Sequence, residues 1–181
     1  MPVVRGAPWA CGSKPAGTAT PAPSPSKTQT IKLQAAAYFK SLAPVLKDNQ
    51  ALWVKFDKLP AQLGTATNAF SVAARINDSY LPAIEQIQAR LAAIKPPPGF
   101  GVAHVRLEKT CAVENDLLYF LQDSLQHAVY TQTAPPGFLA TANRHLARLR
   151  KAISEYGIAV RAAARRSGVK VPSRLVPHER W

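Results

Sequence analysis

The stretch of chain between two copies of Pro-Pro-Gly-Phe restricts the fold more than any other feature. The copies occupy residues 97–100 and 135–138. Between them, apolar and small residues recur at alternating intervals of three and four, which places them on one face of an α-helix. Proline suits a helix N-terminus because its missing N–H is not needed there. The sequence therefore predicts one long helix, from Phe100 to about Thr131, whose apolar face must be covered by other helices.

Apolar stripes of similar length lie on both sides of this helix. They predict a first helix over 28–59, a second over 65–94 and a fourth over 138–166. Four long helices joined by short turns predict an all-α fold, an up-down-up-down four-helix bundle. We expect these six apolar side chains to be buried in it: Phe56, Ile76, Leu118, Leu121, Leu149 and Ile153.

Pro44 and Pro82 lie inside the first two predicted helices. A proline there removes a backbone donor and clashes with the preceding turn, so we expect a kink or a break at each. Counting residues from the helix junctions places the two prolines at nearly the same height in the bundle. Several polar residues fall near that height, and they predict a polar layer: Asn49, Tyr80, Glu114 and Tyr156. Either the kinks open a cavity that holds a small ligand, or the polar groups form a water-satisfied layer that fixes helix register.

The predicted bundle spans residues 28–168, and the flanking segments differ from it in composition. Residues 1–27 are rich in Pro, Ser, Thr and Ala, which predicts a disordered tether. Residues 169–181 form a basic tail with two prolines. Disorder is the default for such a terminus, although Leu175, Val176 and Trp181 offer apolar groups that could dock on the bundle.

Positive charge is concentrated at the C-terminal end. The chain has 23 Lys and Arg against 10 Asp and Glu, and residues 134–181 hold ten of the basic and two of the acidic ones. The pairs Arg144/Arg148 and Arg161/Arg165 are spaced i, i+4, where like charges repel unless an anion lies between them. The sequence therefore predicts a polyanion-binding face, with a solvated cationic surface as the alternative. The face comprises Arg144, Arg148, Arg161, Arg165, Arg166 and Lys170.

Motifs that carry catalysis or bind cofactors are missing from the sequence. It has no Gly-x-Ser-x-Gly, P-loop, His-Glu-x-x-His or dinucleotide fingerprint, and no Glu-x-x-His pair of the di-iron bundles. His104, Glu108 and Cys111 have a spacing that could present metal ligands, but Cys111 also suits a core position. His127 and His145 lack a third ligand. We therefore expect a non-enzymatic protein with no metal and no cofactor.

The segment Cys11-Gly12-Ser13, followed by the Pro/Ser/Thr-rich stretch to Ser26, resembles the mature N-terminus of a bacterial lipoprotein. The resemblance implies lipid attachment at Cys11 and an extracytoplasmic, membrane-tethered domain. Pro8 and Trp9 depart from the family's pattern, and no hydrophobic region precedes the cysteine. A start codon upstream of Met1 would supply that region, and otherwise the expected location is the cytoplasm. No window reaches the about 20 apolar residues of a transmembrane helix, so a lipid anchor is the expected membrane attachment.

Three functional hypotheses are consistent with these patterns. In the first, a non-enzymatic, extracytoplasmic bundle tethered at Cys11 binds an envelope component or a protein partner. In the second, a cytoplasmic protein binds nucleic acid or another polyanion through the fourth helix and tail. In the third, a sensory bundle binds a small ligand in the kinked polar layer.

Overall fold

The computed structural model describes residues 26–58 and 66–176, which are almost entirely helical. The helices are α1 (Lys27–Phe56), α2 (Ala66–Arg75), α3 (Leu81–Ala92), α4 (Gly101–Thr131) and α5 (Phe138–Arg166). A π-helical turn, Ile76–Tyr80, joins α2 to α3 without interruption, so the two form one continuous rod. The predicted all-α four-helix bundle is therefore confirmed. Residues 1–25 of the predicted tether, including Cys11, lie outside the described residues, whereas its last two residues, Ser26 and Lys27, belong to the start of α1.

Helices that follow one another in the chain pack against each other. α1 packs on α3, the α2–α3 rod packs on α4, and α4 packs on α5. α1 begins at a capping box in which Ser26 and Gln29 exchange hydrogen bonds between side chain and backbone. The loop before α4 and the loop before α5 each carry a glycine with positive φ, Gly99 at 87° and Gly137 at 72°. Both glycines belong to the repeated Pro-Pro-Gly-Phe, which explains why that tetrapeptide recurs at the two junctions.

The two internal prolines are accommodated differently. α1 continues as one helix through Pro44, so no break occurs there. In the second rod, Pro82 directly follows the π turn, at the start of α3. Within this turn the Leu81 N–H bonds to the Ile76 carbonyl, five residues back. A regular helix would bring the proline ring against the carbonyl four residues earlier, and the wider turn avoids that clash.

The core runs along the centre of the bundle and includes most of the side chains expected there. Ile76, Leu118, Leu149 and Ile153 are buried as predicted. Phe56 and Leu121 are only partly buried, although both pack against the core. Phe56 is the last residue of α1, where fewer neighbouring helices surround a side chain.

Residues 169–176 pack on the bundle and do not form a separate tail. Leu175 lies in a short 3₁₀ turn, Ser173–Leu175, and is 2% exposed. The Tyr156 hydroxyl on α5 donates to the Leu175 carbonyl at 3.0 Å, and the turn contacts α1. Val169 and Val171 pack against the same core. This segment therefore bridges α5 and α1.

Candidate functional site

A carboxyl group is buried where α1 faces α4. Glu114 is 4% exposed, and the Asn49 side-chain amide donates to both of its oxygens, at 3.0 and 3.2 Å. The Trp53 indole and the Cys111 thiol lie beside the same carboxylate. All four residues lie on the stripes that α1 and α4 turn toward each other, so helix packing alone assembles the cluster.

Burial dominates the electrostatics of this cluster. Desolvation raises the pKa of Glu114 to about 7, against the opposing effect of the neighbouring polar groups of Asn49, Trp53 and Cys111. Desolvation also raises the pKa of the Cys111 thiol, and the neighbouring Glu114 raises it further. Cys111 is therefore a protonated core thiol rather than a nucleophile. Glu114 exchanges between its neutral and charged forms near neutral pH.

The predicted polar layer is assembled only in part. Asn49 and Glu114 are in direct contact, as the layer requires. Tyr156 is instead engaged with the Leu175 carbonyl, a partner that lies beyond the four helices. Tyr80 packs its ring against Phe56, with ring centroids 5.9 Å apart. Neither tyrosine hydrogen-bonds to Asn49 or Glu114 in the described part of the chain.

A buried tyrosine–histidine pair lies near the N-terminal end of α4 and was not predicted. The Tyr38 hydroxyl is 3.0 Å from His104 Nδ1, and His104 Nε2 is 3.6 Å from a Glu108 oxygen. Burial raises the pKa of Tyr38, with a further contribution from Glu108. Tyr38 and His104 each lie on a predicted core stripe, but their contact depends on how α1 is rotated relative to α4. Within residues 26–58 and 66–176, no group of three or more metal-ligating side chains is found.

The outward side of α5 is covered by basic side chains. The six predicted polyanion-binding residues are all exposed, including Lys170 just beyond the helix. We define the α5 basic face as the seven exposed basic residues of α5 itself: Arg144, Arg148, Arg150, Lys151, Arg161, Arg165 and Arg166. Arg150 and Lys151 are additions to the predicted set, and their exposure follows from the same helical periodicity.

Few carboxylates neutralise the α5 basic face. Glu155 is the only acidic residue of α5, and Arg106 and Lys109 of α4 contact it. Arg148 pairs with Asp116 at 3.3 Å, but both side chains are more than half exposed, so the pair is weak. Arg144 donates to the Thr141 hydroxyl instead of to an acid. The i, i+4 pair Arg161/Arg165 has no ion-pair partner in the described part of the chain.

Comparison of the chain with protein-family models, curated proteins and solved structures finds no match. None of the helices in the described ranges is long and apolar enough to cross a bilayer. The α5 basic face differs from the rest of the described bundle in carrying seven exposed basic side chains and one carboxylate.

Proposed function

We propose that this protein is a non-enzymatic helical bundle that associates with an anionic membrane surface through the α5 basic face. One observation carries the proposal: α5 exposes seven basic side chains, and its single carboxylate is engaged by α4. Each basic residue near an anionic leaflet contributes about 1 kcal/mol of attraction. Several of them acting together are enough for reversible binding.

Exposed apolar side chains on the same helix favour a membrane over nucleic acid. Ile158 is 59% exposed and lies between the basic residues Lys151 and Arg161, and Leu139 is 74% exposed in the first turn of the same helix. Apolar side chains beside basic ones suit the boundary between lipid headgroups and acyl chains. Sequence-selective readout of nucleic acid would call for a recognised module or for aromatic residues interleaved with the arginines, and α5 offers neither on its basic face.

The predicted lipid anchor supports the same function. A single acyl chain gives only marginal membrane binding, and stable attachment needs a second signal such as a basic patch. A lipid on Cys11 would supply the first signal and the α5 basic face the second. The Pro/Ser/Thr-rich tether between them would let the bundle turn α5 toward the headgroups.

Vesicle co-sedimentation at several salt concentrations tests the proposal. The unacylated chain should bind phosphatidylcholine vesicles that contain phosphatidylserine, and should bind pure phosphatidylcholine weakly. Binding should be largely lost at a few times physiological salt. The screening length is about 8 Å at physiological ionic strength and becomes shorter as salt rises, so the exposed charges attract the surface less. Replacing Arg161, Arg165, Arg166 and Lys170 with Gln should remove most of the binding.

A matched variant shows whether vesicle binding depends on where the positive charges lie or only on the total charge of the protein. Lys27, Lys32, Lys40 and Lys47 are exposed on α1, so replacing these four with Gln removes the same charge elsewhere. This control should retain most of the vesicle binding. Equal losses in the two variants would contradict a specific role for α5. Tighter binding to duplex DNA than to the anionic vesicles would favour the nucleic-acid hypothesis.

A further inference from the structure

A groove of about 660 Å³ lies between α1 and the α2–α3 rod, away from the α5 basic face. Its floor is apolar and includes the buried side chains of Leu52, Tyr80 and Ile87. Pockets that hold small organic ligands typically measure about 300–1,000 Å³ and have largely apolar walls with a few polar groups. The groove has the size and the floor of such a pocket.

The rim of the groove is strongly basic. Lys55, Lys58, Arg75 and Arg90 line it, with Asp48 as the only acid in the lining. Asp48 forms an ion pair with Arg90, with 2.6 Å between Asp48 Oδ2 and Arg90 Nη1. Lys55 and Lys58 form no ion pair with any residue that the structure describes. A positive potential therefore remains over the part of the groove that Lys55 and Lys58 line.

The π turn supplies hydroxyl groups to this part of the groove. Ser79 and Tyr80 are its last two residues, and both line the groove. Tyr80 is 5% exposed, and its hydroxyl hydrogen-bonds to no side chain or backbone group within the described ranges. The Arg75 guanidinium acts on the same hydroxyl, since it lowers the Tyr80 pKa against the raising effect of burial. π turns are uncommon and are frequent at functional sites, because they re-aim side chains that a regular helix would place elsewhere.

We infer that the groove binds an amphipathic organic anion. Its carboxylate or phosphate would lie against Lys55, Arg75 and the Tyr80 hydroxyl, and its apolar body would cover Leu52 and Ile87. Charged donors bind an anion with hydrogen bonds roughly twice as strong as neutral ones. Burial of the apolar body against the floor adds favourable free energy that the head group alone would not supply. The site lies on other helices than the α5 basic face and does not depend on the proposed membrane association.

Displacement of a fluorescent probe tests this inference. The probe is 8-anilinonaphthalene-1-sulfonate, an apolar aromatic with one anionic group, whose fluorescence rises on binding. Decanoate and decyl phosphate should displace it at concentrations below those at which they form micelles. Decanol lacks the charge and inorganic phosphate lacks the apolar body, so both should compete poorly. Equal competition by decanol would overturn the role of the basic rim, and the ratio of decanoate to decyl phosphate affinities tells which head group is preferred.

Three variants locate the binding. Lys55→Gln with Tyr80→Phe should weaken decanoate binding at least about tenfold, because a hydrogen-bonded charge and a hydroxyl donor are removed. Lys47→Gln removes one charge from α1 outside the groove lining and should leave binding unchanged. The Arg161, Arg165, Arg166 and Lys170 variant should also bind decanoate normally. Wild-type affinity in the Lys55/Tyr80 variant, with an unchanged circular dichroism spectrum, would overturn the inference.

Discussion

Glu114 is a carboxyl group whose charged form the fold disfavours. Its side chain lies between α1 and α4, and its polar neighbours among the described residues are neutral: Asn49, Trp53 and Cys111. Neutral donors oppose the cost of desolvating a carboxylate but do not cancel it as an arginine would. The pKa of about 7 is the balance of these two effects.

The stability of the bundle should therefore depend on pH through this residue. The pKa of Glu114 rises on folding from an ordinary value of 4.5 to about 7. Between those values the unfolded chain is ionised while the folded chain still holds its proton, so the free energy of unfolding falls as pH rises. The fall begins near pH 4.5 and is complete above about pH 7. It amounts to about 3 kcal/mol, at about 1.4 kcal/mol for each pH unit.

The variant Glu114→Gln should remove most of this pH dependence. It should be at least as stable as the wild type at pH 8, since a neutral amide replaces a buried charge. Denaturant unfolding at intervals between pH 5 and pH 8 measures the difference. Asp116→Asn is the matched control, because Asp116 is exposed on the same helix and should leave the pH dependence of stability unchanged. Parallel curves for the wild type and Glu114→Gln would contradict the assignment.

At the scale of elements, the C-terminal segment extends the bundle. The 3₁₀ turn Ser173–Leu175 buries Leu175 and accepts a hydrogen bond from Tyr156, and it contacts α1. A helix periodicity predicts which side of α5 is apolar but says nothing about a short segment without regular repeats. The sequence therefore predicted the docking of residues 169–176 only as an alternative to disorder, on the basis of the apolar residues Leu175, Val176 and Trp181. Of these three, Trp181 lies outside the described residues.

Truncating Leu175 should destabilise the whole bundle. Leu175→Ala removes a side chain that is 2% exposed and should lower the free energy of unfolding by about 2–5 kcal/mol. Arg174→Ala changes an exposed neighbour in the same turn and should change it by less than about 0.5 kcal/mol. Thermal or denaturant unfolding compares the two. A Leu175→Ala variant with wild-type stability would show that the segment is not part of the cooperative fold.

At the scale of the molecule, the four helices and the α5 basic face are predictable from the sequence, whereas the buried polar contacts and the groove are not. Apolar residues that recur every three or four positions predict four helices, because this local spacing places them on one helix face. The exposure of the basic residues of α5 follows in the same way. The Tyr38–His104 pair, the Glu114 cluster and the groove at Tyr80 depend on how two helices are rotated against each other. For Tyr80 the rotation is altered by the π turn before Pro82, and the local pattern predicted only a kink or break at that proline.

The charge of the molecule is also distributed unevenly. The net charge is +13, and α5 exposes seven basic side chains while it carries one carboxylate. The groove between α1 and α3 lies at a separate pairing of helices. This separation allows one face to hold the bundle at a surface while the groove stays open to a ligand. Variants of the two sites should therefore act independently.

Paramagnetic mapping of the bundle on a membrane tests whether α5 faces the lipid headgroups. The protein is bound to nanodiscs of phosphatidylcholine and phosphatidylserine that carry a nitroxide-labelled headgroup, and amide signals are compared with the nitroxide oxidised and reduced. We expect selective broadening along α5, at Arg150, Ile158 and Arg161, with α1 and α3 little affected. Uniform broadening, or broadening strongest at α1 and α3, would contradict an α5-facing membrane contact.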